Sequence, residues 1–431
     1  MGKAGTFIKV SLFVSLVLCL QIGLPYRGLC QGGKSGESAA TVFKQTLEEQ
    51  GIEAAVAKFR EMKADTSGAY TLDVRELLFT ARELVWKEKQ DDAIELYKLI
   101  VEVYPKSPWP WFDLGSLYLF ACDKTQANKC LSKSLELNPQ NTYAKWILEN
   151  IDELVGIVKI QIQNKDKYAP GQNTGIQGPY LGEEPPDRTP KVFANGILNS
   201  TDNEFSISFS PDGKEIYFSR TGVGVMVCRW EKEGWTAPQL VELAGDSLVC
   251  DEANVSPDGS MILFNARPTI FDNREICRAQ RAGDGWGRPE KLFEGMYATS
   301  SLDGAIYYTV PSGQPDIGVI GKRRPTDEGY SEPEVLGGGV NTRFVDAHPF
   351  IAPDESFIVF DSSREGGNRL YVCFLQADGS WGEAVCLNDH LDIPPFVGQP
   401  ALTPDGKYLF YSLHGDMYWV GVGILDDLRP E

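Results

Sequence analysis

The C-terminal half of the chain repeats one pattern of apolar and polar positions. The stretch "FSPDGKEIYF" at 209–218 returns as "VSPDGSMILF" at 255–264, "IAPDESFIVF" at 351–360 and "LTPDGKYLFY" at 402–411. Runs that are apolar on both faces, such as "EIYF", are typical of strands buried on both sides. Pro-Asp-Gly favours a tight turn, because proline fixes φ, aspartate caps its own backbone and glycine accepts a positive φ. The pattern therefore predicts a series of strand–turn–strand units.

The period of these units predicts the architecture. The turn aspartate recurs at intervals of 46, 45, 51 and 51 residues, at Asp212, Asp258, Asp303, Asp354 and Asp405. An aromatic residue opens a further strand in four units, at Trp235, Trp286, Tyr330 and Trp381. About four strands in every 45–50 residues are typical of β-propeller blades. Because the aspartates repeat with the turns, we interpret them as turn residues rather than as metal ligands or catalytic groups.

The ends of the repeated region predict how the propeller closes. The last unit ends at "DMYWVGVGIL" and lacks a fourth strand, whereas "DRTPKVFANGIL" precedes the first unit and matches its "GWTAPQLVELAG" in register. This early segment would supply the missing strand and leave no sheet edge open. We therefore predict a five-bladed propeller over 190–425. Six blades are the alternative if 156–189 contains a degenerate blade.

Residues 40–158 show helical spacing and a repeat of their own. One copy comprises Trp111, Leu114, Gly115, Tyr118, Ala127 and Pro139. Ala93 and Pro105 of the preceding copy lie 34 residues before Ala127 and Pro139, respectively. Small residues at Gly115 and Ala127 allow two helices to cross closely. We expect three helix pairs and a capping helix, followed by a Pro/Gly-rich linker at 159–189.

Both halves resemble known families. The motif W-x2-L-G-x2-Y…A…P resembles the tetratricopeptide repeat, which implies an α-solenoid that binds peptides or proteins on a concave face. Residues 190–425 resemble the WD-like, Ser-Pro-Asp-Gly type propeller repeats of the TolB kind, which implies a secreted or periplasmic protein that binds partners. The third unit departs from the pattern with Leu302 in place of proline, and the fourth has Glu355 in place of glycine.

The N-terminus predicts export. Lys3 and Lys9 precede an apolar run from Val10 to Leu20, which is typical of a secretory signal peptide within residues 1–30. A lipoprotein anchored at Cys30 and an uncleaved anchor are alternatives, although Leu29 before the cysteine disfavours the first. No other long apolar run exists, so no membrane span is expected after cleavage.

Charge narrows the choice of partners. Residues 196–431 contain 18 basic and 36 acidic side chains, so the propeller region is strongly acidic. Such a surface repels phosphate backbones, which argues against nucleic acid as a ligand.

The nine cysteines show no metal-ligand spacing. Cys228, Cys277 and Cys373 occupy one repeated strand position and are expected to be small buried apolar residues. Cys122 and Cys130 are the candidate disulfide pair.

Breaks in the repetition locate a candidate binding site. The residues six positions before each turn aspartate are polar and varied, and are expected to line the central channel: Ser206, Glu252, Tyr297, His348 and Gln399. Asp251 and Asp346 lie beside them in the sequence, and Arg220, Arg267, Arg364 and His414 are expected on the same face.

Two functional hypotheses follow. The favoured one is a non-enzymatic interaction protein that binds a protein, peptide or glycan, with no cofactor, no metal and no assigned catalytic residue. The alternative is a carbohydrate hydrolase or lyase that uses Glu252 and Asp346 as acid and base.

Overall fold

The computed structural model describes residues 37–87, 89–243, 248–268, 273–311, 318–365 and 367–430. The predicted signal peptide and Cys30 lie outside these residues. The chain divides into two compact units, with the boundary between Ile162 and Gln163. Within the described residues, no helix has both the length and the apolar character needed to cross a bilayer.

The part of the first unit that the structure describes forms four pairs of consecutive helices, the last of which ends two residues past the boundary. They are α1 (Ala39–Gln50), α2 (Ile52–Ala64), α3 (Val74–Trp86), α4 (Gln90–Val103), α5 (Pro108–Phe120), α6 (Lys124–Leu137), α7 (Thr142–Glu149) and α8 (Ile151–Asn164). Side chains of Asp73, Asp123 and Asn141 accept backbone N–H groups at three helix starts. Two short parallel strands, β1 (Glu37–Ser38) and β2 (Tyr70–Thr71), complete the unit. The three predicted pairs are present, and two helices stand where one cap was expected; the tetratricopeptide identity stays a prediction.

Gly115 marks the close crossing of α5 and α6. A Cβ there would lie 2.7 Å from Leu131 Cγ and 3.0 Å from the Leu131 backbone nitrogen. We expect Gly115→Ala to lower the free energy of unfolding of this unit by about 1–3 kcal/mol, because the added carbon forces the helices apart.

Gly156 in α8 is the matched control, since a Cβ there would meet nothing within 4 Å. Gly156→Ala should raise the unfolding free energy by about 0.5–1 kcal/mol through helix propensity alone. Chemical denaturation followed by far-ultraviolet circular dichroism measures both, and a gain at both positions would contradict the close crossing.

The second unit is a five-bladed β-propeller. Strand β3 (Lys191–Val192) precedes the first blade, which contains β4 (Glu204–Phe209), β5 (Glu215–Arg220), β6 (Gly224–Glu231), β7 (Gly234–Trp235) and β8 (Gln239–Leu240). The second contains β9 (Val249–Val255), β10 (Met261–Arg267), β11 (Glu275–Ala282), β12 (Gly285–Trp286) and β13 (Glu290–Glu294). The third contains β14 (Met296–Ser300), β15 (Ile306–Pro311), β16 (Gly318–Arg323), β17 (Pro325–Thr326), β18 (Gly329–Tyr330) and β19 (Glu334–Val335). The fourth contains β20 (Asp346–Ile351), β21 (Phe357–Ser362), β22 (Arg369–Phe374) and β23 (Val385–Cys386), and the fifth contains β24 (Gly398–Leu402), β25 (Tyr408–Leu413) and β26 (Asp416–Gly421). A short helix, α9 (Ile424–Leu428), follows the last strand.

The ring closes as predicted. Strand β3 pairs with β26, with Val192 opposite Tyr418 and Lys191 opposite Trp419, so the fifth sheet has the order β24-β25-β26-β3. Each innermost strand packs against that of the next blade, and β24 packs against β4. The prediction of five blades with an N-terminal closing strand is therefore confirmed.

The turn aspartates cap their own turns. The Oδ1 atom of Asp212 accepts a hydrogen bond from the Ser210 hydroxyl at 2.7 Å and from the Lys214 backbone N–H at 3.1 Å. Asp258 and Asp405 make equivalent contacts. These side chains are thus committed to the turns, as the repeat indicated.

Residues 173–187, within the predicted linker, form an ordered strap on the propeller. The Trp235 indole donates to the Gly178 carbonyl at 2.7 Å, and the Gly421 N–H donates to the Asp187 carbonyl at 2.8 Å. The Tyr180 ring lies 5.5 Å from that of Trp419. The strap therefore contacts the first and fifth blades, on both sides of the closure.

The predicted disulfide between Cys122 and Cys130 is wrong, because both cysteines are free. Cys122 lies in the turn before α6 with φ of 56°, whereas Cys130 lies well inside that helix. Cys130 lies six residues after Lys124, the first residue of α6, and therefore about 9 Å farther along the helix axis. This distance exceeds the Cα separation of about 7 Å that a disulfide spans. Cys228, Cys277 and Cys373 are buried and free, as expected.

Candidate functional site

Five buried residues occupy equivalent positions around the propeller axis. They share a left-handed backbone, with φ between 46° and 55°, and are Ser206, Glu252, Tyr297, His348 and Gln399. At each of them the pairing between the first and second strands shifts register. Non-glycine residues adopt this conformation only where the surroundings impose it. Here the bulge turns the backbone N–H away from the strand pairing, so it needs another acceptor.

The acceptor comes from the preceding blade. Side chains on the second strands accept these N–H groups: Ser219 from Glu252 (2.8 Å), Asn265 from Tyr297 (2.9 Å), Thr309 from His348 (2.9 Å) and Asp361 from Gln399 (3.0 Å). These four acceptors were not predicted from the sequence. Their signal was a polar residue seven positions after the turn aspartate, or six in the third unit, inside an otherwise apolar run.

Side chains from non-adjacent blades meet at the axis. Gln399 Nε2 donates to Glu252 Oε1 at 3.3 Å, and His348 Nε2 lies 3.9 Å from the same oxygen. The Tyr297 hydroxyl of the third blade donates to the Pro400 carbonyl of the fifth at 2.7 Å. We call Glu252, Tyr297, His348, Asp361 and Gln399 the axial cluster. The expected channel is therefore spanned by side chains at this level, because five blades leave a narrow axis.

Glu252 is the least satisfied member of the axial cluster. Its side chain is 1% exposed, and Oε2 has no hydrogen-bond partner among the described residues. Burial alone would raise the pKa of Glu252, but Arg274, His348 and Arg267 together hold it below the usual range. An ionised carboxylate oxygen thus lies at the axis, ready to accept a hydrogen bond.

His348 is held by two carboxylates. Its Nδ1 lies 2.7 Å from Asp361 Oδ2, and Asp361 Oδ1 accepts from the Asn368 amide at 3.2 Å. Burial disfavours the imidazolium, but the charges of Asp361 and Glu252 outweigh it, so the pKa of His348 lies above its ordinary value. The Tyr297 ring meets the imidazole edge to face, with centroids 5.2 Å apart.

The arginines predicted for the same face instead form ion pairs within their own blades. Arg220 pairs with Glu204 at 2.8 Å, Arg267 with Asp251 at 2.5 Å and Arg364 with Asp346 at 2.7 Å. Asp346 also accepts from Ser362 and twice from Thr342. His414 is buried in the turn between β25 and β26, with φ of 60°. The structure therefore places all five channel residues at equivalent positions and brings Glu252, Tyr297, His348 and Gln399 together at the axis, whereas the arginines are paired with carboxylates.

Asp251 makes stability depend on pH. Burial and then the charge of Glu252 raise the pKa of its carboxyl group to about 6, well above the ordinary value. A carboxyl group whose pKa is higher in the folded than in the unfolded protein stabilises the fold fully at pH values below its unfolded pKa. This contribution to the free energy of unfolding is lost as the pH rises through about 6. In Asp251→Asn this pH-dependent decrease in the free energy of unfolding, up to about 2–3 kcal/mol, should be absent, because an amide does not ionise.

Thermal unfolding of the wild type and Asp251→Asn, from about pH 4 to about pH 7, measures this difference. The variant should gain stability relative to the wild type as the pH rises. The exposed Asp284 supplies a control, Asp284→Asn, which should follow the wild type. Parallel curves for the two variants would contradict the role of Asp251.

One group among the described residues is spaced for a metal ion: Glu365, Cys386 and Asp389. However, Arg369 Nη1 already lies 3.0 Å from Asp389 Oδ1 and 3.9 Å from Cys386 Sγ. The Arg369 guanidinium therefore already supplies the positive charge that a metal ion would bring to these three side chains.

Comparisons with known proteins give only a partial likeness of fold. No protein-family model and no curated protein matches the chain. Among solved structures, a putative TolB from Agrobacterium tumefaciens is 21% identical, with a TM-score of 0.36 over 49% of this chain and 70% of that one. Hydrazine synthase from Kuenenia stuttgartiensis is 16% identical, with a TM-score of 0.31 over 49% and 73%. Prolyl oligopeptidase B from Galerina marginata is 14% identical, with a TM-score of 0.30 over 48% and 29%. The chain is similar to these structures over about half of its length, and a proposal of function depends on its own residues.

Proposed function

We propose that the protein is a non-enzymatic, extracytoplasmic interaction or scaffold protein. Its propeller would bind a protein, peptide or glycan on the face where the inner strands begin, and its helical repeats would hold a second partner. The observation that carries the proposal is Glu252, a buried carboxylate at the axis with one oxygen lacking a partner among the described residues.

The energetics favour a ligand there. A buried acceptor without a hydrogen bond costs about 1–3 kcal/mol, and apolar side chains would fill a propeller axis at no such cost. The axial cluster instead keeps polar groups from the second, third, fourth and fifth blades. A ligand donating a hydrogen bond to Glu252 Oε2 would offset this penalty.

The enzymatic alternative has weaker support. A hydrolase or lyase would need Asp346 as partner to Glu252, but Asp346 is fully buried and accepts hydrogen bonds on both oxygens. The Tyr297 hydroxyl is likewise buried and donates to a carbonyl. These groups suit positioning better than proton transfer to a substrate.

The predicted signal peptide supports a secreted or periplasmic location, with lipoprotein anchoring as the less favoured route. The acidic propeller region disfavours nucleic acid and other polyanions as ligands.

The test is binding of the purified chain to arrays of synthetic peptides and glycans. We expect Glu252→Gln to weaken the best ligand by about tenfold or more, because a charge-assisted hydrogen bond becomes a neutral one. Glu328→Gln, at an exposed position in the third blade, is the control and should bind like the wild type.

Equal binding by Glu252→Gln and the wild type would exclude the axial site. Turnover of a bound glycan by the wild type, lost in Glu252→Gln, would favour the enzymatic alternative.

A further inference from the structure

His348 lies between carboxylates that belong to different blades. Asp361 is on β21 of its own blade, and Glu252 is on β9 of the second blade, across the axis. Asp361 Oδ2 also accepts the Gln399 N–H of the fifth blade. One imidazole is therefore linked, directly or through Asp361, to three of the five blades.

The two imidazole nitrogens have unequal environments. Nδ1 is 2.7 Å from Asp361 Oδ2, close enough for a full charge-assisted hydrogen bond, whereas Nε2 is 3.9 Å from Glu252 Oε1. Asp361 therefore keeps the proton on Nδ1, and the proton that leaves at higher pH is the one on Nε2. After that loss, the Nε2 lone pair faces an ionised carboxylate.

Other charged groups near His348 do not replace the proton that leaves Nε2. Besides Asp361 and Glu252, Arg274 acts on the imidazole, and its positive charge disfavours protonation of His348. Strand β14 contributes the Tyr297 phenol, β24 the uncharged Gln399 and β15 the Thr309 hydroxyl. On its own strand, Asp346 is paired with Arg364, and next to Glu252, Asp251 is paired with Arg267.

We propose that His348 is a proton-dependent link across the propeller axis, which holds the second blade to the fourth when protonated and releases it when neutral. The inference goes beyond the proposed function, because it requires no ligand. Since the imidazolium is favoured in the folded protein, its stabilising contribution is complete below the ordinary histidine pKa and is lost as pH rises through the higher folded value.

The first test is a proton NMR titration of the imidazoles. The chain has only three histidines, so His348→Gln, His390→Gln and His414→Gln assign every signal. We expect His348 to titrate above about 6.5, the ordinary value, and Glu252→Gln to lower its pKa.

The second test is amide hydrogen exchange of β9 at about pH 6 and about pH 9, corrected for intrinsic rates. Protection in the wild type and His390→Gln should fall by about tenfold between these conditions, because a charge-assisted contact across the axis is lost. Protection in His348→Gln should be low at both.

A His348 pKa at or below the ordinary value, or unchanged β9 protection while His348 titrates, would overturn the link. Both readouts use the wild type, so the proposal stays testable even if His348→Gln does not fold. Ligand binding that depends on Glu252, together with unchanged β9 protection while His348 titrates, would leave the proposed function intact while removing this inference.

Discussion

Replacing Asn199 by alanine should open the ring and lower the free energy of unfolding of the propeller by about 3–6 kcal/mol. Asn199 is fully buried, and its amide donates to the Phe193 carbonyl at 2.7 Å and the Met417 carbonyl at 3.0 Å. Its Oδ1 accepts the Met417 N–H at 2.8 Å. Alanine would leave the buried Phe193 carbonyl and Met417 N–H without the Asn199 side chain, although the Met417 carbonyl would still accept the Phe193 N–H. Both groups lie next to a closing strand of only two residues.

Asn341→Ala provides a matched control. Asn341 donates to the Ile320 and Leu336 carbonyls and accepts the Ile320 N–H, so the same kinds of bond are lost. Asn341 and Ile320 are 21 residues apart, whereas Asn199 and Met417 are 218 apart. Only Asn199→Ala should therefore release the closure, which denaturant unfolding and hydrogen exchange at β26 would measure. An equal or larger effect of Asn341→Ala would show that Asn199 does not hold the ring.

Replacing Asp361 by alanine should be nearly as damaging, costing about 3–5 kcal/mol. Asp361 is fully buried and accepts from three groups: the His348 imidazole, the Gln399 N–H and the Asn368 amide. Its removal leaves the His348 imidazole and two neutral donors buried without this acceptor, and it also removes the Gln399–Asp361 hydrogen bond between the fourth and fifth blades. Thermal and denaturant unfolding measure this loss.

Ser219→Ala is the comparison variant for Asp361→Ala. Ser219 holds the equivalent position in the first blade but accepts one N–H, from Glu252, so its loss should cost about 1–3 kcal/mol. If Ser219→Ala costs as much as Asp361→Ala, then the backbone contact alone accounts for the stability, and the histidine contributes nothing.

The fold was predictable because its signals are local and repeated. The turn residues at Asp212 and its equivalents, followed by apolar runs such as "EIYF", predict where each turn and strand lies. The period of the repeat predicts the number of blades. The closing strand was predictable for the same reason, since "DRTPKVFANGIL" copies an outer strand of the first blade.

The site was predictable only in part. Counting back from each turn identified four of the five members of the axial cluster but not Asp361, since repeats place equivalent residues at equivalent points. Pattern alone did not give their left-handed backbone or the reach of Glu252 across the axis, because both depend on packing between blades. The pairing of Arg267 with Asp251 was missed for a similar reason: the sequence gives proximity along a strand but not which charges neutralise each other.

The strap also determines how the propeller would bear mechanical load. A force that pulls on the chain N-terminal to the propeller reaches Thr174 and Gly178, which are bonded to Trp235, before it reaches β3. The strap contacts must therefore rupture before tension peels the two-residue closing strand from β26. Stretching single molecules should accordingly show a force peak for strap detachment ahead of ring opening. Truncation of the Trp235 side chain should lower the first peak, because the hydrogen bond from the indole to the Gly178 carbonyl is lost while the backbone contacts of Trp235 remain.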